Sequence, residues 1–136
     1  MDQNNLTLEI EQQIEIQAPL QTAFDGLIRQ LTEGNHVQMK LERWPGGRWF
    51  RDLGEGTGHL WGFVQVIKPP TLLEIYGPLF MSYPVAGHVQ FRLAEGPGGV
   101  KLTLRHRAFG LIEDAHRQGI EQGWRQMLGG IQGAGK

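Results

Sequence analysis

Cysteine is absent from this 136-residue chain, and serine occurs once, as Ser82. The first absence excludes disulfides and thiolate metal sites and fits a reducing compartment. The second leaves nucleophilic catalysis little to use, because Ser82 stands outside any GxSxG turn that would expose a catalytic hydroxyl. No apolar run reaches 18 residues, so no membrane-spanning helix is expected. The opening stretch MDQNNLTLEIEQQ lacks the basic-then-apolar order of a secretion signal. These absences predict a soluble, cytoplasmic protein. Charge of one sign is lacking too: 13 basic residues face 14 acidic ones, for a net charge of −1. A nucleic-acid partner needs a concentrated basic face, and the one local cluster is Arg105-His106-Arg107, whose two arginines share one face of a strand. The five histidines (His36, His59, His88, His106 and His116) show no HxH or HExxH spacing, so no metal is expected. The Gly-rich pieces fall in hairpin turns rather than ahead of a helix, and no phosphate loop or cofactor is implied.

What is present is a chain of one-domain size, residues 1–136, rich in glycine and in short alternating runs. Leu6 to Ile16 alternates with a period of two, as a half-buried strand does. Pro19 opens a short amphipathic helix over 19–31, carried by Ala23, Phe24, Leu27, Ile28 and Leu31. Six strands follow at 37–44, 48–53, 59–67, 72–76, 85–95 and 100–107, with turns at Pro45-Gly46-Gly47, Gly54–Gly58, Lys68-Pro69-Pro70 and Gly96–Gly99. Ile112, Ile120, Trp124, Met127, Leu128 and Ile131 mark one face of a helix of about five turns. That helix is expected to fray at Gly129-Gly130. The order predicts an α+β fold in which the long C-terminal helix covers one face of an antiparallel sheet.

The pieces Ile16-Gln17-Ala18-Pro19, Pro45-Gly46-Gly47-Arg48-Trp49, Gly62-Phe63-Val64, Pro69-Pro70-Thr71-Leu72-Leu73, Gly98 to His106, Phe109-Gly110 and Gly123-Trp124 with Leu128 come in a familiar order. In that order the chain resembles the SRPBCC (START/Bet v 1-like) superfamily, and within it the small AHSA1-like bacterial proteins related to the activator of Hsp90 ATPase. The resemblance implies a helix-grip fold: a curved antiparallel sheet of six to seven strands wrapped around the C-terminal helix, with a cavity between. It also implies three roles to weigh: a carrier of a hydrophobic or aromatic small molecule, an aromatase/cyclase-like enzyme, and a co-chaperone module. We rank them in that order.

A pocket of this kind needs apolar walls and a few orienting polar groups. Trp44, Trp49, Tyr76, Phe80, Phe91, Phe109, Ile120, Trp124 and Met127 are the candidate walls, and each could equally be core filler. His106 points inward by alternation with Leu102 and Leu104. It is either a ligand partner or acid/base, or a structural imidazole satisfied by a backbone carbonyl or the Tyr76 hydroxyl. Tyr76, Tyr83 and Glu42 are further candidate polar groups. On the strand HLWGFVQVI, Trp61 and Phe63 share one face opposite Gly62 and Val64. One of these faces looks into the cavity, and if the Trp61–Phe63 face is the other one it is either a patch for a homodimer or covered by the N-terminal segment. Gly119 and Gly123 predict close approach of helix to sheet, with a hinge as the alternative.

Overall fold

In the first strand, β1 (Thr7–Ile16), alternation sends Leu8, Ile10 and Ile16 into the core and the glutamates Glu9, Glu11 and Glu15 to solvent. The computed structural model describes residues 6–33, 38–80 and 84–134. Pro19 then starts α1 (Leu20–Thr32): its backbone is extended, and its carbonyl accepts the Ala23 N–H at 2.9 Å. The helix buries the apolar stripe Ala23, Phe24, Leu27, Ile28 and Leu31. Beyond it the chain crosses to the far edge of the sheet and returns as a meander: β2 (Lys40–Leu41), β3 (Arg48–Gly54), β4 (Thr57–Lys68), β5 (Leu72–Gly77), β6 (Val85–Gly96) and β7 (Gly99–Gly110). β7 pairs with β1, so the sheet has seven antiparallel strands in the order β1-β7-β6-β5-β4-β3-β2. The last element, α2 (Asp114–Ala134), packs across this curved sheet and gives the expected helix-grip fold. No helix among the described residues is long and apolar enough to cross a membrane.

Register explains the core. Leu102, Leu104 and His106 of β7 stand opposite Ile14, Gln12 and Ile10 on one side and Leu93, Phe91 and Val89 on the other. Cross-strand partners share a face, so the inward alternation of the three strands coincides. Phe91, Val89, Leu102 and Leu104 are fully buried against Trp124, Leu128 and Ile131 of α2.

Three expectations need correcting. The strand expected at 37–44 is reduced to Lys40–Leu41, and its first residue, Val37, lies outside the described residues. The strand stops because Glu42 turns back on Arg48. Its Oε1 accepts both the Arg48 backbone N–H and Nε at 2.8 Å, and its Oε2 accepts Nη2 at 2.8 Å. Inside that clamp the Gly47 N–H reaches the Trp44 carbonyl at 2.8 Å, with Gly46 at φ +88°, the pattern of a type II turn with Pro45 at its second position. Second, α2 does not fray at Gly129-Gly130 but runs on to Ala134. Buried Leu128 and Ile131 hold the last turns against α1, and Ile131 Cγ2 lies 3.6 Å from where a Cβ on Gly26 would sit. Third, close helix packing is not the role of Gly119 and Gly123. A Cβ on either would meet nothing within 4 Å, whereas one on Gly130 would press the Gln30 amide at 2.8 Å. Contact between the two helices instead falls at Gly26, where a Cβ would sit at ordinary van der Waals distance from Ile131, and at Gly130, where it would displace the end of the Gln30 side chain.

Candidate ligand cavity

Between α1, α2 and the β3–β4 half of the sheet lies a cavity of about 240 Å³, half-enclosed, with exposed Gly119 and Gly123 at its open side. Four rings form its wall in a chain of edge-to-face contacts. Trp49 meets Trp61 at 5.1 Å between centroids, Trp61 meets Phe80 at 4.8 Å, and Phe80 meets Trp124 at 4.9 Å. Leu31, Met39, Ile120 and Met127 complete the apolar lining, with Gln30 and His116 as its polar side chains.

Each ring is held by a separate local cause. Trp49 points inward by alternation, and its Nε1 donates at 2.9 Å to the Leu31 carbonyl, one of the last carbonyls of α1. Phe50, its neighbour, points outward under the Arg48 guanidinium, 4.4 Å from the ring centre. Trp61 is turned by a β-bulge. Trp49 pairs with Gly62 and Phe50 with Leu60, which leaves Trp61 as the extra residue of β4. Phe80 follows Leu79, a buried residue at φ +58° whose N–H donates to the Trp61 carbonyl at 2.7 Å. Trp124 comes from α2, and its Nε1 donates at 2.9 Å to Nδ1 of His106.

His106 stands behind Trp124 rather than on the lining. It is wholly buried between Ile10 and Val89, the partners on its two neighbouring strands. Burial, followed by the charge of His88, lowers its pKa from 6.5 to about 4, so the imidazole is neutral near pH 7. Its polar partner is the Trp124 indole, not a backbone carbonyl or the Tyr76 hydroxyl. Phe91 is likewise buried behind Trp124, at 5.7 Å between centroids.

The structure thus brings Trp49, Phe80, Ile120, Trp124 and Met127 together on one wall, with Phe91 and His106 behind it. It does not bring in the other candidates. Trp44 is 57% exposed at the type II turn, Tyr76 is 45% exposed and Phe109 is 63% exposed. Alternation accounts for the last two: Ile75 and Ala108 point inward, so their successors point out. Tyr76 instead packs on Phe63 across the outer face, at 5.6 Å. Glu42 is spent on Arg48, which draws its pKa down to about 2. Tyr83 lies outside the described residues. The bulge also undoes the expected Trp61–Phe63 patch, sending Trp61 into the cavity and leaving Phe63 outside. β1 lies at the sheet edge beside β7, so it does not fold back over that face. Gln30, Leu31, Met39 and His116 join the lining without a distinguishing sequence pattern, and of the two orientations open to Trp61 the fold takes the inward one. The pair Gly119 and Gly123, on the helix face of Ile120 and Trp124, is the sequence mark of this opening, since small residues there leave space rather than contact.

No curated protein matches the chain. Solved structures do. A protein from Rhizobium leguminosarum superposes with a TM-score of 0.72 at 18% identity, over 93% of this chain and 92% of that one. Protein MLL2253 from Mesorhizobium loti gives 0.69 at 19% identity, over 91% and 93%. The di-domain ARO/CYC StfQ from the steffimycin biosynthetic pathway gives 0.66 at 12% identity, over 96% of this chain and 51% of that one. At these identities the likeness shows a common fold. The sequence profile of one family matches residues 22–135, from the first helix almost to the C-terminus. With its seven-stranded helix-grip architecture and that match over most of its length, the chain belongs to the Activator of Hsp90 ATPase homolog 1-like family.

Proposed function

We propose that this protein binds a small apolar or aromatic molecule between its sheet and its C-terminal helix. The observation that carries this reading is the wall of Trp49, Trp61, Phe80 and Trp124 around about 240 Å³ of space. Edge-to-face rings present both faces and edges to the cavity, which suits the quadrupole of a flat aromatic guest. The volume falls below the roughly 300–1,000 Å³ of drug-sized sites, so the guest is a fragment of one or two fused rings. Entry is across the glycine face of α2. Gly119 and Gly123 are exposed, line the cavity and leave open the space that side chains would fill.

Native mass spectrometry of the protein purified from its own host tests this reading by reporting bound small molecules and subunit number together. Titration with 2-naphthol, followed by tryptophan fluorescence, gives the complementary measurement. Quenching is expected for the wild type and loss of quenching for Gly123→Trp, which fills the entrance. A wild type that carries no small molecule and shows no quenching overturns the proposal.

The likeness to an ARO/CYC protein raises a second reading, an aromatase/cyclase-like enzyme with His106 as acid/base. The geometry supports it less. Among the described residues no carboxylate or hydroxyl bonds to the imidazole, and Nδ1 already accepts the Trp124 N–H. A co-chaperone role, after the family's name, would use the outer sheet face where Phe63 and Tyr76 stack. Failure of the isolated chain to capture Hsp90 rejects it.

A further inference from the structure

The indole of Trp124 settles which nitrogen of His106 carries the proton. An indole N–H can only donate, so Nδ1 must offer a lone pair at the 2.9 Å contact. The neutral ring therefore carries its hydrogen on Nε2. That atom is buried and has no hydrogen-bond partner among the described residues. Around it lie the Gly87 backbone, the Leu79 side chain and the Gly77 carbonyl, whose oxygen is 2.7 Å from the point where a Cβ on Gly87 would sit. The point where a Cβ on Gly87 would sit is 3.6 Å from Nε2 and 3.6 Å from Leu79 Cδ1. A buried donor without an acceptor is costly, and native proteins retain one mainly where something else supplies the acceptor.

Leu79 packs in the neighbourhood of this donor, and it does so in an unfavourable backbone state. Its φ of +58° lies in the left-handed region that a branched, non-glycine side chain seldom occupies. The next residue, Phe80, is a wall of the cavity. Leu79, near the donor, thus directly precedes one cavity-wall residue, and a second wall residue, Trp124, is bonded to the same imidazole.

We propose that His106 is the polar end of the ligand site, its Nε2–H donating to a carbonyl oxygen at the buried end of an otherwise aromatic ligand. This rests on the cavity reading above and narrows its ligand class from apolar aromatics to aryl ketones and related acceptor-bearing rings. In this state His106 acts as a donor and not as a base, because neither nitrogen is free to take a proton from the ligand. The ligand's oxygen is held and polarised, with no bond made or broken. A site whose buried polar group is left unpaired by the wrong guest discriminates strongly against that guest.

The test compares 2-acetylnaphthalene with 2-ethylnaphthalene, which share ring and shape but differ in the acceptor. Wild type is expected to bind the ketone about tenfold more tightly or better, with the bound carbonyl stretch moved to lower frequency. His106→Leu removes the preference while keeping affinity for the hydrocarbon. His106→Asn, whose amide can accept from Trp124 and donate onward, restores part of it. Circular dichroism confirms that each variant is folded. If His106→Leu does not fold, the tautomer is read in unliganded wild type by ¹⁵N NMR, which should show a pyridine-type Nδ1 and a pyrrole-type Nε2. A proton on Nδ1 overturns the proposal, as does equal binding of the two compounds by wild type, which leaves the cavity reading standing. Binding of neither overturns both.

Discussion

The Nε1–H of Trp124 and the Nδ1 of His106 are joined by a 2.9 Å hydrogen bond inside the core, helix to sheet, 18 residues apart in sequence. It is a buried polar link between α2 and β7, the strand next to the β1 edge of the sheet. Trp124→Phe keeps a ring on the cavity wall but removes the donor, leaving Nδ1 unpaired. We expect a loss of about 1–3 kcal/mol, read as a shifted urea midpoint at unchanged slope.

The same imidazole makes stability depend on pH. Its pKa is 6.5 unperturbed and about 4 when folded. Between those values the unfolded chain binds a proton that the folded chain excludes, so stability rises with pH across this window. It is retained above about pH 6.5 and falls as pH drops toward 4, by up to about 3 kcal/mol from this group. His106→Gln should flatten that part of the stability–pH curve. A wild-type slope that persists in the variant contradicts the assignment.

Glu42 has the opposite dependence, because its folded pKa is drawn down to about 2 by the Arg48 hydrogen bonds. The contribution of its clamp is present above pH 4.5 and is lost as pH falls toward 2. NMR titration of the Glu42 carboxyl should give a midpoint well below that of an ordinary glutamate, and Glu42→Gln should lower Tm at pH 7.

Glycines separate into two groups by what a methyl would meet. Gly123→Ala adds a side chain into open space in a helix interior and should stabilise the fold by about 1 kcal/mol. Gly47→Ala would set a Cβ 2.0 Å from the Glu42 carbonyl oxygen, which requires the β2–β3 turn to open. We expect a cost of about 3 kcal/mol or more. Thermal unfolding of the two variants side by side should move in opposite directions. If Gly123→Ala also weakens binding of 2-naphthol, the native glycine sacrifices stability for access.

The residue pattern alone carried the element order and the inward face of most strands, because alternation with period two is local and holds wherever no bulge interrupts it. It carried the burial of His106, set by Leu102 and Leu104, and the Pro45-Gly46-Gly47 turn, set by residue type. It also contained the outward placement of Tyr76 and Phe109, one step past the inward Ile75 and Ala108, although aromatic character argued for the cavity. The tertiary structure decided the rest. Trp61 enters the cavity through a bulge, and a bulge belongs to the register between two strands, not to either strand's own pattern. Gly119 and Gly123 look like Gly130 in sequence, yet only a neighbouring element decides whether a glycine marks contact or space. The proton on His106 was likewise fixed by a residue of another element, since a tautomer follows from the partner across the hydrogen bond.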